Sequence, residues 1–386
     1  MKRRRLVHVT TTDMSLALLL GNQLRRFAAA GYEVIGVSGA GPFVPEFESW
    51  GIRHVALGHA TRAMSPRHDL LAFFELRSVF RALRPDIVHT HNPKPGVYGR
   101  LAARAAGVRA IVNTVHGLYA VPEDRWARRS VVYGLERMAA RASHAELVQN
   151  TEDVETLRHL GVDERKLHLL GNGIDLARFD VACVSDRDRE RAALGVARDE
   201  VLIGAVGRLV LEKGYAELFD AFARVCRSQP ARLIVVGPDD PDKGDLLGAD
   251  LRAQAESLGV RFLGYRDDVE SLYAAMDVYV LASHREGFPR SAMEAAAMGL
   301  PIVATDIRGC RQVVDHGTTG LLVPRKDAAA LAVALERLVV NPQERTAMGA
   351  AGRVKAHREF DDREVVRRTL AVYDALLASS TVAARP

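Results

Sequence analysis

Apolar positions along the chain form short runs of mostly β-branched residues, and most runs precede a stretch in which apolar residues recur with helical spacing. In the first half the runs predict strands at 6–10, 33–38, 53–57, 86–90, 110–115 and 145–149. The stretches between them predict helices near 15–30, 67–84, 95–106, 124–142 and 151–160. Strands that alternate with helices in this way form a parallel sheet covered on both faces.

A polar, charge-dense stretch at 184–200 interrupts this pattern, which then starts again. The second set of strands is predicted at 201–206, 232–237, 261–264, 278–282, 301–305 and 320–324, and helices without strands between them follow at 327–340, 343–357 and 361–378. The sequence thus predicts an α/β protein with two doubly wound, Rossmann-like domains, 1–178 and 179–360, joined near residues 172–200. The segment 361–386 is expected to pack back on the first domain. Ligands of such sheets bind at the carboxyl ends of the strands, so the cleft between the domains is the expected site.

Composition fits two soluble domains, because the chain has 386 residues, 48% of them hydrophobic and 26% charged. Its three cysteines, Cys183, Cys226 and Cys310, are widely spaced, which argues against a disulfide framework and favours a reducing compartment. The apolar run LALLL near the start is too short for a signal peptide. No window reaches the roughly 18 apolar residues of a membrane span. We therefore expect a cytoplasmic protein.

Basic residues are concentrated in two places, although the net charge is only +5. One is the KRRR run at 2–5, and the other is the predicted helix 124–142, which carries Arg125, Arg128, Arg129, Arg137 and Arg141. Such a helix face is either simply solvated or binds an anionic surface, and a membrane is one such surface. Nucleic acid is not expected as a partner, because no nucleic-acid recognition motif with aromatic stacking residues interleaves with these arginines.

The turn after the predicted strand 201–206 reads GRLVLEKG. Gly207 allows a tight exit from the strand, Arg208 follows at once, and Lys213 precedes the next helix. Two cations and a helix start beyond one strand end suit a diphosphate. The alternative is that both cations are solvated loop residues.

The segment EGFPRSAMEAAAMGLPIVATD follows a later strand and starts at Glu286. Pro289 suits the first position of a helix over 289–298, and Gly299 suits its end. Glu286 then lies at the mouth of this helix and Glu294 on its body. Paired carboxylates serve general acid/base hydrolysis of glycosides or accept hydrogen bonds from sugar hydroxyls, and the nearby cations favour the second use. The remaining alternative is that Glu286 caps the helix and Glu294 lies on the surface.

In this order the motifs resemble those of the retaining glycosyltransferases of family four, the glycogen synthase-like group with the GT-B fold. GRLVLEKG, the glutamate pair, NTVHG and LLGNGIDLARF carry the resemblance over nearly the whole chain, and 64–97 resembles enzymes of surface polysaccharide or glycan assembly. It implies catalytic roles for His116, Arg208, Lys213 and Glu286. It further implies a donor site that includes Gly207, Tyr265, Gly287, Phe288, Pro289 and Glu294. In such enzymes Glu286 would hold donor-sugar hydroxyls, Glu294 the ribose, and Tyr265 the base.

One departure from the family concerns the acceptor side. Many members have a Gly-Gly pair after the first strand, where this chain has VTTTDMSLALLLGN. Thr11, Thr12 and Ser15 offer hydroxyls there instead, and Thr12, Ser15 and Asn172 are our candidates for the acceptor side.

Two groups of residues resemble metal sites. His89 and His91 are separated by one residue, but no third ligand is evident, so we interpret them as structural or acceptor-facing. The acidic run PDDPDKGD at 238–245 resembles the metal motif of the other large glycosyltransferase fold, and we interpret it as a solvated loop. Since Arg208 and Lys213 supply positive charge, neither a metal nor another cofactor is expected.

The expected activity is transfer, with retention, of a hexose or N-acetylhexosamine from a UDP- or GDP-linked donor to an acceptor hydroxyl. The expected acceptor is a polyprenyl-diphosphate-linked glycan at an anionic membrane face. A soluble small acceptor and a non-enzymatic nucleotide-sugar-binding protein are the alternatives. A dinucleotide-dependent oxidoreductase fits poorly, because SGAGPF at 38–43 lacks the third glycine of the fingerprint.

Overall fold

The chain folds into two compact units in the computed structural model, which describes residues 3–63, 65–91, 93–121, 124–184, 186–240 and 244–382. One unit runs to Gly171 and resumes at Asp362, and the other spans Asn172–Asp361. The sequence had suggested boundaries at 178/179 and 360/361. Ile174 explains the earlier break, since its N–H donates to the Phe360 carbonyl at 2.9 Å and its side chain is buried in the second unit.

The first unit is a seven-stranded parallel sheet in the order β3-β2-β1-β4-β5-β6-β7. Its strands are β1 Arg5–Thr12, β2 Glu33–Gly39, β3 Arg53–Ala56, β4 Ile87–His91, β5 Ala110–Val115, β6 Ala145–Val148 and β7 Leu167–Leu169. Its first helices are α1 Gly21–Ala29, α2 Val44–Ser49, α3 Pro66–Leu83, α4 Pro93–Ala105, α5 Trp126–Ala140 and α6 Thr151–His159. All the predicted strands are confirmed. Short β7 and α2 were not predicted.

The second unit is a six-stranded parallel sheet in the order β10-β9-β8-β11-β12-β13. Its strands are β8 Val201–Val206, β9 Ala231–Val236, β10 Arg261–Phe262, β11 Val278–Leu281, β12 Ile302–Thr305 and β13 Gly320–Val323. Its helices are α7 Arg187–Ala193, α8 Tyr215–Ser228, α9 Ala249–Ser257, α10 Val269–Ala275, α11 Arg290–Ala297, α12 Cys310–Val313, α13 Ala328–Val340 and α14 Pro342–Glu359. Both sheets have the doubly wound order, so the predicted fold class is confirmed.

The polar stretch 184–200 contains α7 and belongs to the second unit. The Asp186 side chain caps this helix by accepting from the Arg189 N–H, and Arg191 pairs with Asp277 at 2.8 Å. A charge-dense run of this kind was expected to be a connection. Instead, Arg191 anchors this stretch to Asp277, the residue directly before β11.

A further helix, α15 Asp362–Val382, returns to the first unit. Val365, Val366, Tyr373 and Leu377 share a buried cluster with Phe27 of α1. Arg26 also pairs with Asp362 at 2.9 Å. The core of the first unit is therefore built from both ends of the chain.

Candidate active site

The loop after β8 brings its cations to the end of β11, because β8 and β11 are neighbours in the sheet. Leu211–Lys213 form one 3₁₀ turn, and Gly214 follows with φ of 70°. A Cβ at Gly214 would lie 2.0 Å from the Ala282 carbonyl oxygen, so only glycine fits this position. The close approach of the two backbones sets the distance between the side chains that follow.

Lys213 and Glu286 form an ion pair in this loop cluster. Lys213 Nζ lies 2.6 Å from Glu286 Oε1, and Ser283 Oγ donates to the same oxygen at 2.7 Å. The two charged side chains retain 20% and 12% of their exposure. Two residues that the sequence assigned to one site are thus in contact. Ser283 was not predicted, although a hydroxyl residue just beyond a strand end is a possible signal.

Arg208 pairs with Asp240, a buried carboxylate in the loop after β9. The interpretation of 238–245 as a solvated loop is therefore wrong for Asp240, while Asp242 lies outside the described residues. The two loops are adjacent because Gly237, with φ of 149°, has its Cα against the Gly207 carbonyl, and a Cβ there would lie 2.0 Å from that oxygen. An acidic residue in this run thus balances a cation and does not face bulk water.

The Tyr215 hydroxyl lies beside both charged groups of the site. It donates to the Gly207 carbonyl at 3.0 Å. Burial raises the pKa of Tyr215, the negative charge of Glu286 raises it further, and the charge of Arg208 opposes both. The charges of Glu286 and Arg208 thus act in opposite directions on the pKa of one buried phenol.

The EGFP turn leads into α11, which starts at Arg290 with Pro289 as its N-cap, one residue later than predicted. The N-cap residue is thus Pro289 and not Glu286, whose Oε1 instead contacts Lys213 and Ser283. Gly309, with φ of 82°, covers the turn so closely that a Cβ would lie 2.6 Å from the Gly287 carbonyl oxygen. Gly309 was not predicted as part of the site.

Phe288 and Asn172 hold the same turn from the other side. The Phe288 ring packs edge-on against Phe360 at 5.8 Å. The Asn172 side-chain amide donates to the Phe288 carbonyl at 3.1 Å. Asn172, a candidate for the acceptor side, thus lies in the second unit and braces the predicted donor loop.

Glu294 faces the interior of the second unit and not its surface. Its Oε2 accepts from the Tyr273 hydroxyl at 3.1 Å. Burial raises the pKa of Glu294, and the charge of Arg290 and the Tyr273 hydrogen bond act in the opposite direction. Burial raises the pKa of Tyr279, and the charges of both Glu286 and Glu294 raise it further. The alternative of a surface carboxylate is therefore wrong.

Tyr265 lies in the turn after β10 and is 51% exposed. The turn is tied to the loop after β9, because the Gly237 N–H donates to the Gly264 carbonyl at 2.8 Å. A half-exposed ring next to the loop of Asp240 can stack on a planar ligand. The role of Tyr265 as a wall for the base stays a prediction.

His116, Thr12 and Ser15 lie in the first unit, whereas the other predicted site residues lie in the second. Thr12 Oγ1 and Ser15 Oγ are 3.1 Å apart at the end of β1. Ser15 opens a single π-helical turn, Ser15–Leu19, before α1, so the helix predicted from residue 15 is confirmed with an irregular first turn. The next residue after Thr12, Asp13, accepts from the Phe43 N–H at 2.7 Å and was not predicted.

His116 follows β5 and contacts a group of buried histidines. His91 Nδ1 lies 3.0 Å from His116 Nε2, and burial lowers the pKa of His116 to about 4. The statement that His89 and His91 lack a third partner is wrong, because His8 of β1 joins them with nitrogens that all lie within 4.8 Å. Most of these nitrogens bond to one another or to hydroxyls, as in His8 Nδ1 to His91 Nε2 at 2.9 Å, so we interpret the group as a hydrogen-bonded core in which His8 Nε2 has no partner among the described residues.

The arginine-rich helix α5 has an exposed apolar stripe. Val131, Leu135 and Met138 are exposed at helical spacing, and Trp126 at the start of α5 is 75% exposed. Arg128 lies over the Tyr119 ring at 5.3 Å. Among the described residues, no helix is both long and apolar enough to cross a membrane. The binding of an anionic surface by this helix stays a prediction.

Two family models together match most of the chain. The family model described as Glycosyltransferase Family 4 matches residues 19–178, and the one described as Glycosyl transferases group 1 matches residues 186–355. The chain is 31% identical to the UDP-Gal:alpha-D-GlcNAc-diphosphoundecaprenol alpha-1,3-galactosyltransferase of Escherichia coli, over 72% of each chain. It is 26% identical to the capsular polysaccharide biosynthesis glycosyltransferase CapM of Staphylococcus aureus, over 98% of this chain and 99% of CapM.

A solved structure shows the same fold. The crystal structure of Anabaena HepE in complex with UDP and glucose matches with a TM-score of 0.82 at 21% identity, over 97% of this chain and all of that one. The two doubly wound units, the paired family models and the relative at 31% identity lead to one conclusion. The chain belongs to the GT-B glycosyltransferases and combines a Glycosyltransferase Family 4 region with a Glycosyl transferases group 1 region.

Proposed function

We propose that the protein transfers a hexose or N-acetylhexosamine from a UDP- or GDP-linked donor to a hydroxyl of a polyprenyl-diphosphate-linked glycan, with retention and without a metal ion. The observation that carries the proposal is the meeting of Lys213, Glu286 and Ser283 at one carboxylate oxygen. Cation and acid from separate loops suit a ligand that has a diphosphate next to a polyol. The names of the Escherichia coli and Staphylococcus aureus relatives support a lipid-linked acceptor and a role in polysaccharide assembly.

Both cations of the site are already paired with carboxylates, Arg208 with Asp240 and Lys213 with Glu286. A bound diphosphate would compete with these acids for the cations and form charge-assisted hydrogen bonds of its own. Glu286 would then accept protons from hydroxyls of the donor sugar while Ser283 keeps its carboxylate in place. The half-buried Glu294 would accept from the ribose in the same way.

In the proposed reaction the bond from the anomeric carbon to the diphosphate oxygen breaks as the acceptor oxygen attacks the same face of the sugar. The acceptor proton passes to the departing phosphate oxygen, so no protein base is consumed. Arg208 and Lys213 stabilise the negative charge that develops on the leaving group, a kind of stabilisation worth roughly a hundred- to a thousandfold per donor. Their two positive charges take the place that a divalent ion has in other phosphoryl sites.

A thermal-shift screen of UDP-, GDP- and ADP-sugars tests the donor side, because a ligand that binds only the folded state raises the melting temperature. We expect one nucleotide to stabilise the protein, with its sugar derivative then used in transfer assays. A synthetic polyprenyl-diphosphate-linked sugar and a soluble polyol phosphate serve as competing acceptors, and NMR assigns the anomer of the product. Stabilisation by none of the sugar nucleotides, or an inverted product, contradicts the proposal.

A further inference from the structure

Three histidines in the first unit form one continuous hydrogen-bonded row. His8 Nδ1 lies 2.9 Å from His91 Nε2, and His91 Nδ1 lies 3.0 Å from His116 Nε2. The row follows the sheet, because His8 is on β1, His91 ends β4 and His116 directly follows β5, and these strands are neighbours in that order. His91 in the middle uses Nε2 towards His8 and Nδ1 towards His116.

All three rings are neutral near pH 7. Burial lowers the pKa of His8 to about 3 and of His116 to about 4, and it lowers the pKa of His91 well below its ordinary value. A neutral imidazole has one N–H and one bare nitrogen, so both hydrogen bonds of the row must run in the same direction. Only two arrangements exist. Either His8 donates to His91 and His91 to His116, or the whole row is reversed.

The two ends of the row decide between these arrangements. His8 is fully buried with its ring stacked on Phe27 at 5.4 Å, and its Nε2 has no partner in the described part of the chain. Reversal would put an N–H there, and an unpaired donor in apolar surroundings is costly. At the other end His116 Nδ1 is also buried without a hydrogen bond within the described ranges, but a polar side chain lies near His116. Gln149 directly follows β6, and its backbone N–H donates at 3.3 Å to the carbonyl of Val115, the residue before His116. The Gln149 side chain acts to raise the pKa of His116, as an acceptor facing an N–H does.

We infer that His8 and His91 are positioning residues that hold His116 in one tautomer. In this tautomer Nδ1 carries the hydrogen, and Nε2 carries none and accepts the hydrogen bond from His91. Although Gln149 is near, His116 Nδ1 has no partner of good hydrogen-bond geometry among the described residues. His116 Nδ1 therefore carries a hydrogen and cannot act as a base. The expected effect on turnover rests on the proposed function, whereas the inference about the tautomer does not.

His89 supplies the matched control, because it is equally buried but stands outside the row. Its Nδ1 bonds the Tyr373 hydroxyl at 2.5 Å and its Nε2 bonds Thr114 Oγ1 at 2.7 Å. Tyr373→Phe removes one hydrogen bond from a buried histidine and leaves the row of His8, His91 and His116 intact. Any loss that comes only from a disturbed core will appear in this variant too.

NMR of ¹⁵N-histidine-labelled protein tests the tautomers directly, since protonated and bare ring nitrogens have well-separated shifts. In the wild-type protein we expect hydrogen on Nδ1 and a bare Nε2 in His8, His91 and His116. Hydrogen on His116 Nε2, a charged ring in the row, or one tightly bound zinc per chain held by these histidines overturns the inference. This measurement needs no substrate, so it separates the inference from the proposed function.

Variants then test the positioning role. His8→Phe keeps the stacked ring but removes the hydrogen-bond donor. We expect NMR to show both tautomers of His116 in this variant. We also expect kcat to fall about tenfold, as when a residue that orients a metal-binding histidine is removed. KM for the donor should change little, and His8→Asn, which restores an N–H near the Nδ1 position, should recover most of the loss. Tyr373→Phe should retain kcat. Equal losses of kcat in His8→Phe and Tyr373→Phe, with the His116 tautomer unchanged, overturn the positioning role. If His8→Phe does not fold, the wild-type spectra alone decide.

Discussion

Lys213 Nζ and Glu286 Oε1 lie 2.6 Å apart, although 73 residues separate them in the chain. The pair is partly shielded from water, so its charges interact more strongly than those of a surface pair. An anionic ligand that binds Lys213 must therefore replace this interaction. The acid that it displaces is the one proposed to bind the sugar, so phosphate binding and sugar binding are coupled through one contact.

Removal of either cation should lower turnover. We expect Lys213→Ala and Arg208→Ala each to reduce kcat by roughly a hundred- to a thousandfold, because charge on the leaving diphosphate loses a positioned partner. The control is Arg224→Ala on the exposed face of α8, whose partner Asp220 is also at the surface. Melting temperatures of all three variants should remain close to that of the wild type. Normal turnover in both site variants would refute the assigned roles.

Glycines at two loop contacts should be indispensable for stability. Gly214→Ala and Gly309→Ala force a side chain into left-handed backbone and against a carbonyl oxygen, so each should cost about 1–3 kcal/mol of unfolding free energy. Gly248→Ala is the control, since a Cβ there meets nothing within 4 Å. Urea denaturation of the three variants measures the difference. Equal midpoints for Gly214→Ala and Gly248→Ala would show that the loop contact is not as close as described.

The buried histidines should make the protein sensitive to acid. Burial lowers the folded pKa of His8 to about 3, of His116 to about 4, and of His89 and His91 well below the ordinary 6.5. Below pH 6.5 the unfolded chain therefore binds more protons than the folded one. Stability is fully present above that pH and falls as the pH drops towards 4, by about 1.4 kcal/mol per pH unit for each histidine.

Urea titrations between pH 7.5 and 4.5 measure this slope. His8→Phe removes one of the four titrating groups, so its slope should be smaller by about 1.4 kcal/mol per pH unit. A slope that does not change in His8→Phe contradicts the assignment of a neutral, buried His8.

The apolar stripe of α5 should bind anionic vesicles at low salt. Arginines and exposed apolar side chains on one helix suit a lipid surface, and each basic residue near such a surface contributes about 1 kcal/mol. Arg128→Gln should therefore weaken binding about fivefold, and Trp126→Ser with Val131→Ser should weaken it further. Val333→Ser, a change of one similarly exposed valine on α13, is the control. A wild-type protein that does not sediment with the vesicles contradicts the expectation of an acceptor at an anionic membrane face.

The fold could be predicted because its signals are local. Strands such as β8 and β11 are uninterrupted apolar runs, and the glycine and proline positions around α11 define its ends to within one residue. The Lys213 and Glu286 loops could be matched because both directly follow strands, and parallel strands end at the same edge of the sheet. β7 is three residues long, and its sequence shows no apolar run that would have predicted a strand.

The contacts that were missed depend on which strands become neighbours. Asp240 reaches Arg208 only because β9 lies beside β8, so an acidic run was interpreted as a solvated loop. His8 carries no motif and joins His91 only because β1 lies beside β4. Gly309 likewise gives no sign of its approach to Gly287 until the backbone path is known.

The return of α15 to the first unit affects the order in which the protein folds during synthesis. Phe27 and the rest of that apolar cluster lack Val365, Val366, Tyr373 and Leu377 until α15 has left the ribosome. The second unit is one continuous stretch and can fold as soon as its own residues are translated. The first unit is consequently translated first and completed last. The apolar face that α15 covers stays exposed while the second unit is being translated.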